Sequence, residues 1–389
     1  MKAKIMVLIL TTFTVGLVEL IIGGLMPMIA EDLHVSVSTA GQLITVYALV
    51  YAIAGPVLLA ATARTGRKRL YMWSMLVFVV GTLTAFLAPT YSVLFLSRMI
   101  TAASGSLIVT LSMTLAVKIV PKDYQARVIG LLSMGISSSI VLGVPMGVLL
   151  GNSFGWRILF LIIALVTVFA MIAVAFFLPE IPQEQSVPLR AQLKTLRNGK
   201  IMSAHLVTAL TLAGHYTLYA YFTPFVETTM HLAPVWISAA YFVFGLSAVA
   251  GGMIGGIMAD KMGTNRSIPL VIAVFIGTMF ILPYSTQNFY LFTVVLVVWG
   301  ILSWALTPAQ QSYLIQNAPE TSDIHQSFNF SALQLGIAVG SAFGGIVIQR
   351  ADSYTANAWA GGFLIVLALL SAIYSLSRPV RVENPVTAD

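Results

Sequence analysis

Residues 5–28 read IMVLILTTFTVGLVELIIGGLMPM, an apolar run that contains a single acid, Glu19. A helix needs about 20 predominantly apolar residues to cross a bilayer. The rest of the chain has a similar composition, since 58% of its 389 residues are hydrophobic and only 8% are charged. A soluble domain carries about 25% charged residues, which face water. The sequence therefore predicts an all-α, polytopic membrane protein.

The chain divides into twelve apolar runs of this kind, joined by mostly short connections. The exception is the polar, proline-containing segment 179–200, which falls near the middle of the chain. We therefore predict two six-helix bundles, 1–178 and 201–389, joined by a linker at 179–200. The predicted spans are 5–28, 37–62, 70–89, 92–117, 127–150, 157–178, 201–226, 235–258, 267–285, 289–315, 327–349 and 355–376.

The basic residues predict the orientation, because cytoplasmic loops of membrane proteins are enriched in Lys and Arg. With twelve spans and the N-terminus inside, all 20 basic residues except Arg98, Arg157 and Arg350 fall in cytoplasmic segments. We therefore expect both termini to be cytoplasmic. The same bias explains the formal net charge of +7 without a nucleic-acid partner.

Two sequence patterns recur at nearly the same offset in the two predicted halves. Two glycines, Gly66 and Gly263, lie in the loops that follow spans two and eight. Glycines at every fourth position share one helix face, where another backbone can approach closely. They are Gly143, Gly147 and Gly151 in span five, and Gly336, Gly340 and Gly344 in span eleven. These repeated glycine patterns favour an internal duplication.

The loop after span two and the sequence of span five resemble motifs of the major facilitator superfamily. The loop motif Gly-x-x-x-Asp-Arg-x-Gly-Arg-Lys/Arg is matched only in part, because Ala63 stands at the Asp position and Leu59 at the first Gly. Residues 142–160, LGVPMGVLLGNSFGWRILF, look like the proline-glycine motif of 12-span drug/proton antiporters. The resemblance implies a conformational role for Arg64, Gly66, Arg67, Lys68, Gly143, Pro145, Gly147, Asp260, Lys261 and Gly263.

Three stretches are most similar to bacterial purine base and nucleoside efflux pumps, with arabinose-type sugar exporters next. They are VGLVELIIGGLMPMIAEDL (15–33), HLVTALTLAGHYTLYAYFTPF (205–225) and LSWALTPAQQSYLI (302–315). The resemblance implies two pseudo-symmetric bundles and proton-coupled export of small neutral compounds by alternating access. A broad-specificity drug or sugar exporter is the alternative, and a non-transporting receptor or scaffold is a further one.

Glu19 is the one acid of thirteen deep within a predicted span, and Arg98 is the one deep basic residue. A charge near the bilayer centre costs at least ~2.5–3.5 kcal/mol on insertion scales. We therefore hypothesise that Glu19 carries the exchanged proton and that Arg98 tunes its protonation, the alternative being a permanent ion pair between them. His215, in span seven, is a third candidate, either in proton transfer or as a neutral hydrogen-bonding group.

Transporters of this kind bind their substrates near the membrane midplane, between the two halves. Aromatic faces together with amides suit a neutral heteroaromatic compound, because rings stack on its plane and amides bind its edge. The candidate substrate-binding residues are Tyr47, Tyr51, Tyr216, Tyr219, Trp304, Gln310, Asn329 and Gln334.

Several functional classes are not expected from this sequence. The chain has no cysteine, and its five histidines are scattered rather than clustered. It also lacks the phosphate-binding loop and the Gly-x-Ser-x-Gly motif of serine hydrolases. We therefore expect no enzyme activity, no cofactor and no metal site. The expected partners are a small-molecule substrate, protons and the lipid bilayer, with the protein acting as a monomer.

Overall fold

The computed structural model describes residues 2–62, 64–121, 124–180 and 195–378, which are almost entirely helical. Residues 181–194, most of the predicted linker, lie outside the described residues, as does Ala63. The helices are α1 (Lys2–Asp32), α2 (Val37–Ala61), α3 (Arg67–Phe86), α4 (Tyr91–Lys118), α5 (Gln125–Ser138), α6 (Val144–Phe154), α7 (Trp156–Phe177), α8 (Gly199–Tyr219), α9 (Phe222–Met230), α10 (Pro234–Met262), α11 (Thr264–Ser285), α12 (Phe289–Asn317), α13 (Ser322–Ala351) and α14 (Thr355–Ser377).

Within the described ranges, eleven helical segments are long and apolar enough to cross a membrane. One of them comprises α5, α6 and the π-helical turn Ser139–Gly143 between them. The remaining predicted span, 201–226, corresponds to α8 and α9, whose polar residues include His205 and His215. The prediction of an all-α membrane protein with two pseudo-symmetric six-helix bundles is confirmed, with helix bounds close to those expected.

The seventh predicted span, 201–226, is not one continuous helix as expected. Its first part, α8, ends at Tyr219, and α9 begins at Phe222. Pro224 provides the physical reason, because proline lacks an N–H group and its ring clashes with the carbonyl four residues earlier, here that of Ala220. The resulting break places Tyr221 at the boundary between the two bundles.

Span five also departs from a regular helix, next to its proline. The turn Ser139–Gly143 is π-helical and precedes Pro145. π-Helical bulges are rare and occur frequently at functional sites. This turn packs closely on α10 of the other bundle, where a Cβ added to Gly245 would lie 2.7 Å from Val141 Cα. The Ser238 hydroxyl of α10 also donates to the Pro145 carbonyl, at 2.9 Å.

The two bundles have separate apolar cores and meet along three helix pairs. Most of the first core comes from α1–α7 and most of the second from α8–α14. Between the bundles, α2 packs on α13, α6 on α10 and α1 on α9. We call the end of the molecule where α1 begins the Lys2 end, and the end where it finishes the Asp32 end. The pairing leaves a central space between α1, α2, α8 and α13.

The glycines spaced by four allow the close helix contacts that the sequence predicts. A Cβ added to Gly340 of α13 would lie 2.2 Å from the Ala213 carbonyl oxygen of α8. Gly147 of α6 faces the side chain of Ile21 on α1 in the same way. Because small residues let helices approach in a membrane, α8 and α13 lie close enough to place their polar side chains in contact.

Candidate functional site

A narrow cavity lies between the two bundles. Helices α1 and α2 of the first bundle form one wall, and α8 and α13 of the second form the other. The lining residues are Glu19, Leu20, Gly23, Ile44, Tyr47, Ala48, Tyr216, Tyr219, Ala220 and Ile337. The cavity therefore combines one acid and three tyrosines on a largely apolar wall.

Glu19 is hydrogen-bonded across the boundary between the bundles. The Gln334 Nε2 of α13 donates to Glu19 Oε1 on α1 at 2.9 Å. Gln334 is buried, and its Oε1 has no hydrogen-bond partner among the described residues. An amide presents both a donor and an acceptor, so it can pair with a carboxylate through its N–H and with a carboxylic acid through its oxygen. Gln334 can thus bind either protonation state of Glu19.

Arg98 is fully buried and holds the first bundle together through backbone groups. Its guanidinium donates to the carbonyls of Val18 at 2.6 Å, Glu19 at 3.4 Å and Leu43 at 3.3 Å. These bonds connect α4 to both α1 and α2. The two side chains of Glu19 and Arg98 form no ion pair within 4.0 Å among the described residues. Arg98 therefore influences Glu19 through the position of α1 and through its charge.

Tyr47 lies between Arg98 and the cavity. The Arg98 Cζ is 4.1 Å from the centre of the Tyr47 ring, a cation–π contact. The Tyr47 hydroxyl is buried and has no hydrogen-bond partner among the described residues. The hydroxyl lies beside Gly105 of α4, where an added Cβ would be 3.2 Å from it, so Tyr47 lines the cavity with its ring.

His215 is buried in an aromatic cluster behind Tyr219. Its ring lies 5.0 Å from the ring of Tyr219 and 6.0 Å from that of Phe244, stacked on both. The Trp299 indole N–H donates to His215 Nδ1 at 3.1 Å. Because Nδ1 accepts this bond, it carries no proton, and the neutral imidazole has its proton on Nε2. The histidine thus supports the aromatic wall of the cavity.

Apart from the three tyrosines that line the cavity and Gln334, which bonds to Glu19, the predicted substrate-binding residues are not among those that line the cavity. Tyr51 lies 5.9 Å from Tyr47, ring centre to ring centre, and contacts Phe330 of the other bundle at 5.8 Å. Trp304 packs against the second core and does not line the cavity. The side chains of Gln310 and Asn329 bond within the second bundle, to Ala204 and Thr208 respectively.

Sequence reasoning missed Trp299, the tryptophan that contacts His215. Trp299 and Trp304 are five residues apart on α12, and both lie within an apolar run. No spacing rule along one helix shows which of the two faces α8. A helix turns about 100° per residue, so the assignment depends on how α12 is rotated within the bundle.

The loop residues with expected conformational roles are mostly exposed. Arg64 lies on the surface, whereas the neighbouring Arg67 is buried and Lys68 donates to the Ala175 carbonyl at 3.0 Å. In the second half, Asp260 and Lys261 are exposed. Gly263 has φ 76° and ψ 157°, a backbone conformation essentially restricted to glycine. Their roles in transport stay predictions.

Two membrane-spanning helical bundles around a central cavity with one acid are the architecture of a membrane transporter, and the comparisons with known proteins identify its family. Residues 8–324 match the Major Facilitator Superfamily. Bacillus subtilis (strain 168) contains a relative, the "Uncharacterized MFS-type transporter YbcL", that is 31% identical over 370 residues, or 95% of each chain. The chain therefore belongs to the Major Facilitator Superfamily, and it is a transporter rather than an enzyme.

Other relatives and a solved structure agree with this assignment. The "Inner membrane transport protein YdhP" of Escherichia coli (strain K12) is 30% identical over 96% of both chains. A "Probable sugar efflux transporter" of Helicobacter pylori (strain P12) is 27% identical over 94% of this chain and 93% of its own. The crystal structure of a bacterial homolog to the human lysosomal transporter Spinster, inward-facing and occupied, matches with a TM-score of 0.77 at 16% identity, covering 96% and 94% of the two chains.

Proposed function

We propose that this transporter exports small neutral organic compounds, in particular purine bases and nucleosides, in exchange for protons. The observation that carries the proposal is the hydrogen bond between Glu19 and Gln334, which joins the two bundles at the wall of the central cavity. A proton that binds there acts on the contact between the halves that must move in alternating access.

The coupling follows from the chemistry of this pair. In the arrangement described, Gln334 donates to a carboxylate oxygen of Glu19. Protonation removes the charge and replaces this charge-assisted bond with a weaker neutral one. A ligand shifts a conformational equilibrium only as far as it binds the two states differently. We infer that the proton and the substrate favour different states of the cavity, so that proton entry drives substrate exit.

The aromatic residues that line the cavity support a flat substrate. Tyr216 and Tyr219 form an edge-to-face pair at 5.4 Å on one wall, and Tyr47 faces the cavity from the other. Aromatic rings bind a planar heteroaromatic compound by stacking. Glu19 supplies a carboxyl group that can hydrogen-bond to the edge of such a compound. With no second acid in the lining of this cavity, a strongly cationic drug is less favoured than a neutral compound.

Sugar export is the second candidate. It is favoured by the Helicobacter pylori relative, whose printed name is "Probable sugar efflux transporter". Sugars share with nucleosides the need for hydroxyl-binding groups, and Glu19 provides one at the wall of the cavity. Broad-specificity drug export uses the same scaffold with different cavity chemistry. The experiment described below separates these substrates.

We propose that both termini face the cytoplasm and that the protein works as a monomer in a bacterial inner membrane. The basic loop residues Arg64, Lys68, Lys261 and Arg266 all lie at the Lys2 end of the helices that they flank. Cytoplasmic loops are enriched in such residues. The Lys2 end is then the cytoplasmic side, and the Asp32 end is outside.

The test is transport in proteoliposomes that contain purified protein and an imposed pH gradient. We expect the gradient to drive the movement of adenine or inosine, and little movement of arabinose or a cationic dye. Glu19→Gln should abolish the gradient-driven component while preserving the folded protein, because glutamine keeps the hydrogen bond and cannot titrate. Glu31→Gln, at an exposed position, is the matched control.

Each outcome of this experiment decides a different part of the proposal. Full gradient-driven transport by Glu19→Gln would refute proton coupling through Glu19. Movement of arabinose or dye alone would refute the purine assignment and leave coupling intact. A thermal-shift screen of the same preparation against the four compounds measures binding independently of coupling, because a bound ligand stabilises the folded state.

A further inference from the structure

A second polar cluster lies within the second bundle, towards the Lys2 end and outside the cavity lining. We call it the histidine cluster; it consists of His205 and Thr208 on α8 and of His325 and Asn329 on α13. His205 Nε2 and His325 Nδ1 are 3.4 Å apart, and Asn329 Nδ2 is 2.8 Å from Thr208 Oγ1 and 3.5 Å from His205 Nδ1. All four side chains are buried.

The contacts define where the protons of the cluster lie. Two imidazole nitrogens within hydrogen-bond distance share one proton between them. His205 Nδ1 faces the NH₂ group of Asn329, which is a donor, so Nδ1 is an acceptor and carries no proton. A neutral His205 therefore has its proton on Nε2 and donates it to His325 Nδ1. One nitrogen of His205, Nδ1, is left able to accept a proton.

When His205 Nδ1 takes up that proton, Asn329 and Thr208 can exchange their hydrogen-bond donor and acceptor roles. A half-turn of the Asn329 side-chain amide about its Cβ–Cγ bond swaps the positions of its NH₂ group and its carbonyl oxygen. The oxygen then accepts from a protonated His205 Nδ1. Thr208 carries a hydroxyl that both donates and accepts, so it changes from acceptor to donor towards Asn329. The contacts of His205 with His325 and Asn329, and of Asn329 with Thr208, are kept in the protonated cluster, and the bond between His205 and Asn329 becomes charge-assisted.

The surroundings of the cluster show why this reversal matters. On α12, the Gln310 side-chain amide donates to the Ala204 carbonyl. The centre of the Tyr313 ring, also on α12, lies 5.5 Å from Lys200 Nζ. Lys200 also donates to the Arg378 carbonyl beyond α14. Asp323 precedes His325 by two positions in the sequence. A buried charge is costly without a hydrogen-bond partner, so the protonation of His205 depends on the acceptor that Asn329 provides.

We propose that the histidine cluster is a second proton-binding site, in which His205 takes up a proton on Nδ1 while Asn329 turns its carbonyl oxygen towards it. The site is separate from Glu19 and needs no substrate, so it goes beyond the proposed function. It connects to the cavity through shared helices: α8 carries His205 and Tyr216, and α13 carries Asn329 and Gln334. A proton in the cluster strengthens the contact between these two helices at the Lys2 end.

The test is magic-angle-spinning NMR of protein labelled with ¹⁵N-histidine and reconstituted in lipid bilayers. The ¹⁵N shifts distinguish the two neutral tautomers from the imidazolium ion, and a His205→Gln sample assigns the signals. We expect His205 to change from the Nε2–H tautomer to the imidazolium as the pH is lowered from about 8 to about 3.

Asn329→Leu is the informative variant, because leucine has the shape of asparagine and cannot accept a hydrogen bond. We expect this variant to keep His205 neutral throughout the same pH range. If the Asn329→Leu protein does not fold, Thr208→Val is the second variant. It removes the hydroxyl that bonds to Asn329, so it should reduce the imidazolium fraction of His205. A wild-type His205 that stays neutral over the whole range, or an Asn329→Leu protein with an unchanged titration, would overturn the proposal. The Glu19→Gln protein should titrate at His205 as the wild type does, which separates this result from any failure of the proposed function.

Discussion

Tyr221 of the second bundle lies directly against Gly41 of the first, so closely that a Cβ added to Gly41 would lie 2.1 Å from the tyrosine hydroxyl. The same hydroxyl donates to the Ser341 carbonyl of α13 at 2.9 Å, which holds the ring in place. Nearby, Gln349 donates to Ser38 across the two bundles at 3.0 Å. These contacts close the Asp32 end of the molecule around the break between α8 and α9.

Gly41→Ala should open the Asp32 end. The added methyl group displaces the Tyr221 ring, and overpacking of this kind costs about 1–3 kcal/mol, which corresponds to about 5- to 150-fold in an equilibrium. The chain has no cysteine, so maleimide labelling of a single Ser38→Cys reports the opening of this end. We expect the labelling rate to rise in the Gly41→Ala protein. Gly277→Ala, where no atom lies within 4 Å of the new Cβ, is the control and should not change it.

Gln334→Leu should uncouple transport from the pH gradient without preventing substrate binding. It removes the bond from α13 to Glu19, and a hydrogen bond to a charged group contributes about 1.5–3 kcal/mol. Such a loss corresponds to about tenfold to a hundredfold in an equilibrium. We expect a decrease of this order in gradient-driven export from proteoliposomes. Gln287→Leu, at an exposed position, is the control. Wild-type coupling in Gln334→Leu would show that the bond has no part in transport.

Arg98→Lys should destabilise the first bundle although the charge is kept. A lysine ammonium is a single point of charge, whereas the planar guanidinium of arginine carries several spread N–H donors. Lysine therefore cannot reach the carbonyls of both Val18 on α1 and Leu43 on α2 as Arg98 does. Losing one charged hydrogen bond costs about 1.5–3 kcal/mol. We expect a lower thermal unfolding temperature in detergent, measured by the loss of monodisperse protein on heating. Arg350→Lys, at an exposed position of α13, should leave it unchanged.

The pair of His215 and Trp299 predicts a difference between single and double variants. His215→Phe leaves the buried Trp299 N–H without its acceptor, at a cost of about 1–3 kcal/mol. The double variant His215→Phe/Trp299→Phe removes both partners, so it should be more stable than the single one. We expect its transport to keep the pH dependence of the wild type, because His215 accepts a fixed hydrogen bond. A changed pH profile in the double variant would instead assign His215 to proton transfer.

The long apolar runs and their interruptions were sufficient to predict the helices, because the cost of placing polar backbone in lipid forces each run into a helix. The predicted run 157–178 corresponds to α7, Trp156–Phe177. Span seven was predicted less well. Its break before Pro224 was missed, although proline interrupts helices. The glycine spacing correctly predicted close helix contacts, as Gly340 of α13 shows.

The candidate site was predictable only residue by residue. Glu19 and Gln334 were both selected by their polarity within apolar spans, yet they are 315 positions apart and nothing in the sequence pairs them. Asn329 was selected by the same reasoning and instead bonds to Thr208 and His205. Trp304 was selected, whereas Trp299 contacts His215. Polarity shows that a residue needs a partner, and it does not show which one.

The amino-acid sequence alone determined the membrane environment, the helices and the isolation of Glu19 in an apolar span, because hydrocarbon penalises each charge and each open backbone group locally. The tertiary structure decided which residues meet: Glu19 with Gln334, Arg98 with the backbone of α1 and α2, and His205 with His325. Those pairs depend on the rotation and packing of whole helices against one another. Since that arrangement is set by contacts summed over both bundles, no local pattern in the chain contains it.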